Sequence, residues 1–276
     1  MRNPNPLVVI FKSKNKSGVL VTYKKYLDIE IFEGEISKHT YPWHFHDCYT
    51  IITVQKGSIM YEFQDRSIYV EASEALIIEP NKIHRNTISQ STFYKAIFLP
   101  IAYFEHEGQN KLLTQKIIQP NVVIKIVDLF NKIELNSSKI TLKEIALNLR
   151  ELIVQPKIEM AEILHSGINT MPKIDYNLTI TELAEKAHLS KFHFQRIFKN
   201  RFGLTIGQLK QQEKTLLAKT LLENGKLPTD VAYEAGFFDQ SHFIKYFKKM
   251  WAITPKYFKK AHFFTIFCLL LFRLLS

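Results

Sequence analysis

The chain has 276 residues, 46% hydrophobic and 23% charged, enough to bury ordinary cores and too long for one average domain. With only 9 Gly, 10 Pro and 2 Cys, it is not collagen-like, low-complexity or a disulfide scaffold. Of a formal charge of +11, residues 173–262 carry 16 basic against 8 acidic side chains; a basic module beside a nearly neutral one suits a polyanion, although a basic surface also serves solubility.

Cys48 and Cys268 lie far apart with no Cys-x-x-Cys spacing, and no charged-then-apolar leader opens the chain, so a reducing, cytoplasmic setting is expected. The run Leu7 to Phe11 is too short for a signal-peptide core and reads as an early strand. From about residue 18 to 100, short β-branched and aromatic runs alternate with turn residues: Val19 to Tyr23, Cys48 to Val54, Ser58 to Phe63, Ser67 to Val70, Ala75 to Ile78 and Tyr94 to Leu99. Many short strands with little helix predict a barrel or sandwich. The link Gln55-Lys56-Gly57-Ser58 reads as a hairpin, with Gly57 supplying a positive φ.

After Pro120 the spacing becomes helical, with Val123, Ile126, Val127, Phe130 and Ile133 on one stripe and Leu142, Ile145, Leu149, Leu152 and Ile153 on another. Asn136-Ser137-Ser138 reads as the connector, and Thr141 with Glu144 as a capping box opening the second helix. Such a pair either packs on the barrel or meets a second copy of the chain as a homodimer. Pro172, in the aperiodic run Ser166 to Tyr176, marks a domain boundary.

Residues 178–260 contain an internal repeat. Leu183-Ala184 matches Val231-Ala232 and Ala187 matches Ala235; one inserted residue later, Ser190 matches Asp239, Phe194 matches Phe243, Ile197 matches Tyr246, Phe198 matches Phe247 and Lys199 matches Lys248. Each copy reads as a short helix, a tight turn and a second helix. Thr179 with Glu182 caps the first helix of copy one, and Pro228 opens that of copy two. Gly236 suits the following turn, and Ser190 and Asp239 cap the second helices. Phe194, Ile197 and Phe198 fall on one face and should be buried; Phe243, Tyr246 and Phe247 take that role in copy two. The opposite faces offer Lys191, Phe192, Gln195, Arg196 and Lys199, then Gln240, Ser241, Ile244, Lys245, Lys248 and Lys249. That set matches a major groove: a guanidinium for guanine, amides for adenine, an apolar ring for a thymine methyl and lysines for phosphate. Polar outer faces usually only solvate a helix, but solvation gives no reason for the pattern to recur.

These residues resemble the arabinose-regulator (AraC/XylS) family of bacterial transcription factors, over about residues 173–262. Leu189 to Lys199 is similar to that family's first recognition helix, and Gly236 to Lys249 with Ile253-Thr254-Pro255 to its C-terminal signature. The resemblance implies two helix-turn-helix units joined by a long linker helix, about Ile206 to Glu223, reading successive major-groove segments. Four positions depart from the family pattern: His188 and Ala252 stand where Gly is usual, Lys214 where Arg is, and Ile206 where Pro is common. His188 should strain the first turn.

In this family an effector-sensing, cupin-like barrel often precedes the DNA module. Trp43 to Tyr49 and Glu79 to His84 resemble its two strand-edge motifs, and in a strand His44 and His46 share one face. Three readings stay open for His44, His46 and His84: core histidines, effector contacts accompanied by Trp43 and Tyr49, or a metal site. The metal-binding cupin pattern expects Glu four residues after the second His, where Thr50 stands, so no metal is expected. No nucleophile elbow, phosphate loop or His-Glu-x-x-His is present, so neither catalytic residues nor cofactors are expected.

The expected protein is thus α+β: a cupin-like domain over 1–110, a helical linker or dimerisation segment over 111–168, an all-α double helix-turn-helix domain over 169–262, and an apolar tail over 263–276. The tail is too short to span a bilayer of about 20 helical residues. A docked helix, a loose appendage and a membrane anchor stay open for it, and a membrane partner is not expected. The expected function is a transcriptional regulator, an activator because the family more often activates. Its partners would be double-stranded operator DNA, a small-molecule or peptide effector, and RNA polymerase. A cupin-type metal enzyme and a general basic interaction module are the alternatives.

Overall fold

A computed structural model describes residues 11–14, 20–104, 112–135, 138–154, 160–163, 174–176 and 178–259. The tail, the proline at 172, the second cysteine and all but the last residue of the proposed early strand lie outside them. The strands are β1 (Phe11–Lys14), β2 (Leu20–Tyr26), β3 (Ile29–Ile36), β4 (His39–Thr40), β5 (Tyr49–Lys56), β6 (Ser58–Glu62), β7 (Ser67–Glu71), β8 (Ala75–Ile78), β9 (Arg85–Ile88), β10 (Thr92–Leu99), β11 (Gln115–Ile117) and β12 (Met160–Ile163). One sheet has the order β1-β2-β3-β10-β5-β8-β11-β12, the other β4-β9-β6-β7, and every described pairing is antiparallel.

Period two sorts the core into two layers. Ile52, Val54, Leu76, Ile78, Tyr94 and Ala96 face the interior between the sheets, where they meet Ile59, Tyr61, Ile68 and Val70. Their neighbours Tyr49, Ile51, Ile77, Ile97 and Leu99 point out of the large sheet and lie under helices. The central strand β5 is therefore buried on both faces, with only its last two residues exposed.

The covering helices are α1 (Ile101–Phe104), α2 (Pro120–Leu135) and α3 (Lys139–Val154). Both predicted apolar stripes pack on the barrel of their own chain, and Glu134 of α2 is clamped to the sheet by Lys24 and Lys95.

Several local expectations are corrected. Gly57 has φ +78°, and a Cβ there would meet Thr92 Oγ1 at 2.6 Å. Yet β5 and β6 belong to different sheets, so Gly57 turns a corner between sheets instead of closing a hairpin. The second helix starts before Thr141, because the Ser138 hydroxyl accepts the Thr141 N–H at 3.1 Å. The strand β3 was not anticipated: its inward apolar residues alternate with Glu30, Glu33 and Glu35, which dilute the β signal.

The C-terminal domain comprises α4 (Ile180–Lys186), α5 (Lys191–Phe202), α6 (Ile206–Glu223), α7 (Pro228–Glu234) and α8 (Gln240–Trp251). Thr179 and Glu182 form the reciprocal box at α4, and Thr205 and Gln208 form one at α6. Ser190 and Asp239 cap α5 and α8, and Pro228 is the first residue of α7. Phe243 and Phe247 are fully buried and Tyr246 half-buried. In α5 Phe198 is buried, with Phe194 and Phe202 half-buried on the same face and ring centres 6.0 and 4.7 Å apart along it. Ile197, expected inside, is exposed because that stripe runs at i, i+4, i+8 and leaves it one step off.

The turn residues explain the departures in sequence. His188 (φ +55°) and Ala252 (φ +58°) adopt left-handed backbone, as does Gly236 (φ +73°), a conformation costing a residue with a Cβ about 1–2 kcal/mol. His188 is exposed, so its side chain contributes little packing there. His188→Gly is expected to raise stability by about 1 kcal/mol, seen as a higher midpoint in urea denaturation; an unchanged or lower midpoint would count against strain at this turn.

Candidate DNA-reading faces and an interdomain cavity

On α5, Lys191, Phe192, Arg196 and Lys199 are exposed and Gln195 is half-buried; on α8, Gln240, Ser241, Lys245, Lys248 and Lys249 are exposed. Phe192 is 83% exposed, a position that burial alone does not explain for a phenylalanine. Each helix begins at a side-chain cap, where free backbone N–H groups favour anions such as phosphate. Phe238, 94% exposed one residue before the α8 cap, was missed by the sequence reading. Its signal was an aromatic beside a helix start, with no repeat partner of its own kind, since Leu189 occupies the matching site.

A cavity of about 90 Å³ opens where the barrel meets this domain. The barrel contributes Tyr41, His44, His46, Thr50, Tyr61, His84, Tyr94 and others; α6 contributes Gln212 and Leu216, and α8 contributes Met250 and Trp251. The Tyr41 and Tyr94 hydroxyls hydrogen-bond at 2.8 Å, and burial raises both above the ordinary tyrosine range. His44, His46 and His84 line this space, but the route differs from the expected one. The backbones of His44 and His84 make an isolated bridge outside the named strands, with reciprocal N–H···O bonds of 2.9 Å.

Tyr49 and Trp43 do not line the cavity. Tyr49 has the outward parity of β5: its ring packs on Phe104 at 4.8 Å and its hydroxyl accepts the Leu112 N–H at 3.2 Å. Trp43 is half-buried beneath the Arg85 guanidinium, 5.2 Å from the ring centre, in a cluster with the first helix-turn-helix unit. The contributions from α6 and α8 were also missed, because sequence spacing within one domain carries no information about the surface another domain presents.

The domains are joined by specific bonds. The Gln212 amide donates to the Phe45 carbonyl at 2.9 Å and accepts the Phe45 N–H at 3.3 Å. Lys219 of α6 reaches Glu30 at 2.6 Å and lies 5.0 Å from the ring centres of Tyr23 and Trp251. Burial pushes the Glu30 carboxyl up, but the Lys219 charge and hydrogen bond outweigh it and hold the group below its usual value. His39 Nε2 donates to the Lys249 carbonyl at 3.1 Å, tying the end of α8 to the barrel.

Comparison with known proteins gives the same two halves. Residues 183–261 match the helix-turn-helix domain pattern, and residues 26–118 match the AraC-like ligand binding domain. The regulatory protein SoxS of Escherichia coli is 32% identical over 83 residues, 30% of this chain and 78% of its own. The chain belongs to the AraC family of transcriptional regulators. An uncharacterized regulator of this helix-turn-helix type, YbfI from Bacillus subtilis, is 25% identical over 238 residues, covering 79% of this chain and 86% of the relative. ToxT from Vibrio cholerae shares the fold, with a TM-score of 0.52 at 13% identity over 85% of this chain and 97% of that one.

The chain is therefore a DNA-binding transcriptional regulator with a cupin-like N-terminal domain. Among the described residues no helix is long and apolar enough to cross a membrane. Arg196→Ala and Lys245→Ala are each expected to weaken operator binding by about 1–3 kcal/mol if they contact bases. Fluorescence anisotropy on specific and random duplexes checks this, and wild-type affinity in both variants would show that the faces are misassigned.

Proposed function

We propose that this regulator reads two adjacent major-groove segments with α5 and α8, and that a small molecule in the interdomain cavity sets how well it does so. The observation that carries the second part is the shared wall of the cavity. Gln212 and Leu216 come from the helix linking the two reading units, and Met250 and Trp251 from the end of the second reading helix. A molecule that binds one arrangement of these walls better than another shifts the DNA-binding domain by that difference in affinity. The lining is mostly aromatic and aliphatic, with a few polar groups converging on it, which suits a small, largely apolar effector with one or two polar functions.

The direction of regulation follows the family, in which activation predominates, and makes RNA polymerase the second protein partner. The site of action is the cytoplasm, with the operator. Lys248 and Lys249 are exposed near the end of α8, which supports the DNA half: each phosphate such a lysine neutralises releases counterions. Replacing both Lys248 and Lys249 with Ala is expected to reduce the slope of log affinity against log salt by about 2, measured by gel shift from low to physiological salt. An unchanged slope would remove these lysines from the interface.

Coupling has its own test. Gln212→Ala cuts both bonds to Phe45 while leaving the reading faces intact. Operator affinity and reporter transcription are expected to change together by at least about fivefold, or ~1 kcal/mol, the low end of the usual range of allosteric coupling. Identical affinity and transcription would mean that the barrel does not govern DNA binding through this contact.

A further inference from the structure

Three imidazoles converge on the barrel side of the cavity. The ring centres lie 4.3 Å apart for His44 and His84, 4.9 Å for His44 and His46, and 5.5 Å for His46 and His84. One ring nitrogen of each lies within 4.8 Å of the other two, so all three sit within about 2.8 Å of a common point, against a Zn–N bond of about 2.0–2.1 Å. Small side-chain rotations close that gap.

Two of the rings already hold the tautomer that a metal ligand needs. His44 Nδ1 lies 2.7 Å from the Pro42 carbonyl, and His84 Nδ1 lies 2.8 Å from the Lys82 carbonyl. A carbonyl only accepts, so each Nδ1 carries the proton and each Nε2 keeps its lone pair. Backbone carbonyls orient metal-binding imidazoles in this way. No protein donor among the described residues reaches either Nε2. Two Nε2 lone pairs left without a protein donor in a largely apolar pocket are unsatisfied unless something electron-poor lies beside them.

We propose that His44, His46 and His84 form a binding site for one transition-metal ion of the class that prefers imidazole, such as Zn2+, Fe2+, Co2+ or Ni2+. Magnesium and calcium are disfavoured because no oxygen ligand belongs to the cluster. The Thr50 position, where the metal-binding cupin pattern has Glu, bears on how the site is completed and not on whether it forms. Thr50 lines the cavity, so three protein ligands would leave a coordination position open towards that space. The class of ligand that position takes is a small oxygen donor, a carboxylate or hydroxyl of the effector or a water. The site rests on the three rings alone and stands whether or not the cavity regulates DNA binding.

The test titrates chelator-stripped full-length protein with Co2+ and follows the visible absorption of the bound ion. One equivalent is expected to bind, Zn2+ is expected to displace it, and the thermal midpoint should rise with metal concentration. His84→Gln, with circular dichroism unchanged, should lose stoichiometric binding, whereas His39→Gln, at a histidine outside the cluster, should keep it. X-ray absorption of the Zn2+-loaded wild type reads the ligands without any substitution, and should show three imidazole nitrogens. No saturable Co2+ binding, unchanged binding in a folded His84→Gln, or a first shell containing sulfur or only oxygen would each overturn the site.

Discussion

The arrangement depends on the docking of α6 against the barrel through the Lys219–Glu30 pair, the lysine buried and the carboxylate half-buried. Taking such charges out of water carries a cost that is recovered only when the partner and its remaining hydrogen-bonding groups are in place. Lys219 also reaches Glu223, and it lies against the rings of Tyr23 and Trp251. Apart from Glu223 on its own helix, the partners of Lys219 come from β2, β3 and α8, so its full set of contacts forms only when these elements meet α6. The helix that joins the two helix-turn-helix units is thus held to the barrel by a contact that tolerates little displacement.

The second join uses alternation. Phe45 lies between His44 and His46, and Ile83 precedes His84. Phe45 and Ile83 pack into the core of the first helix-turn-helix unit, beside Phe198, Leu204, Ile206 and Leu209, while the imidazoles, together with part of Phe45, line the cavity. The cavity wall thus includes residues whose immediate neighbours belong to the core of the DNA-binding domain, and dense interiors of this kind have few alternative arrangements. The same unit also meets the barrel at Gly203, where any Cβ would run into the Gln64 side chain.

The departures from the family pattern have local physical consequences. Ile206 begins α6 fully buried in that same core, gaining apolar contact where a proline would offer only a fixed φ. Lys214 donates its ammonium to the Gly236 carbonyl, so it braces the turn of the second unit from the linker helix. His188 and Ala252 keep the backbone of the glycines they replace and carry the strain.

The sequence by itself determined the two-domain α+β plan, the doubled helix-turn-helix unit and the outward faces of α5 and α8, because caps, glycine turns and aromatic spacing are local signals that recur. It also marked the three histidines. It mistook the Gly57 corner for a hairpin and overlooked β3, since which strands pair is set by contacts distant in the chain. Trp43 and Tyr49 were assigned to the cavity by proximity in sequence, whereas strand parity turns Tyr49 away and the first reading unit captures Trp43. Only the tertiary structure decided that the cavity has two owners, because Gln212, Met250 and Trp251 come to line one space with His44 through the folding of one domain onto another, and no periodicity within either domain encodes that meeting.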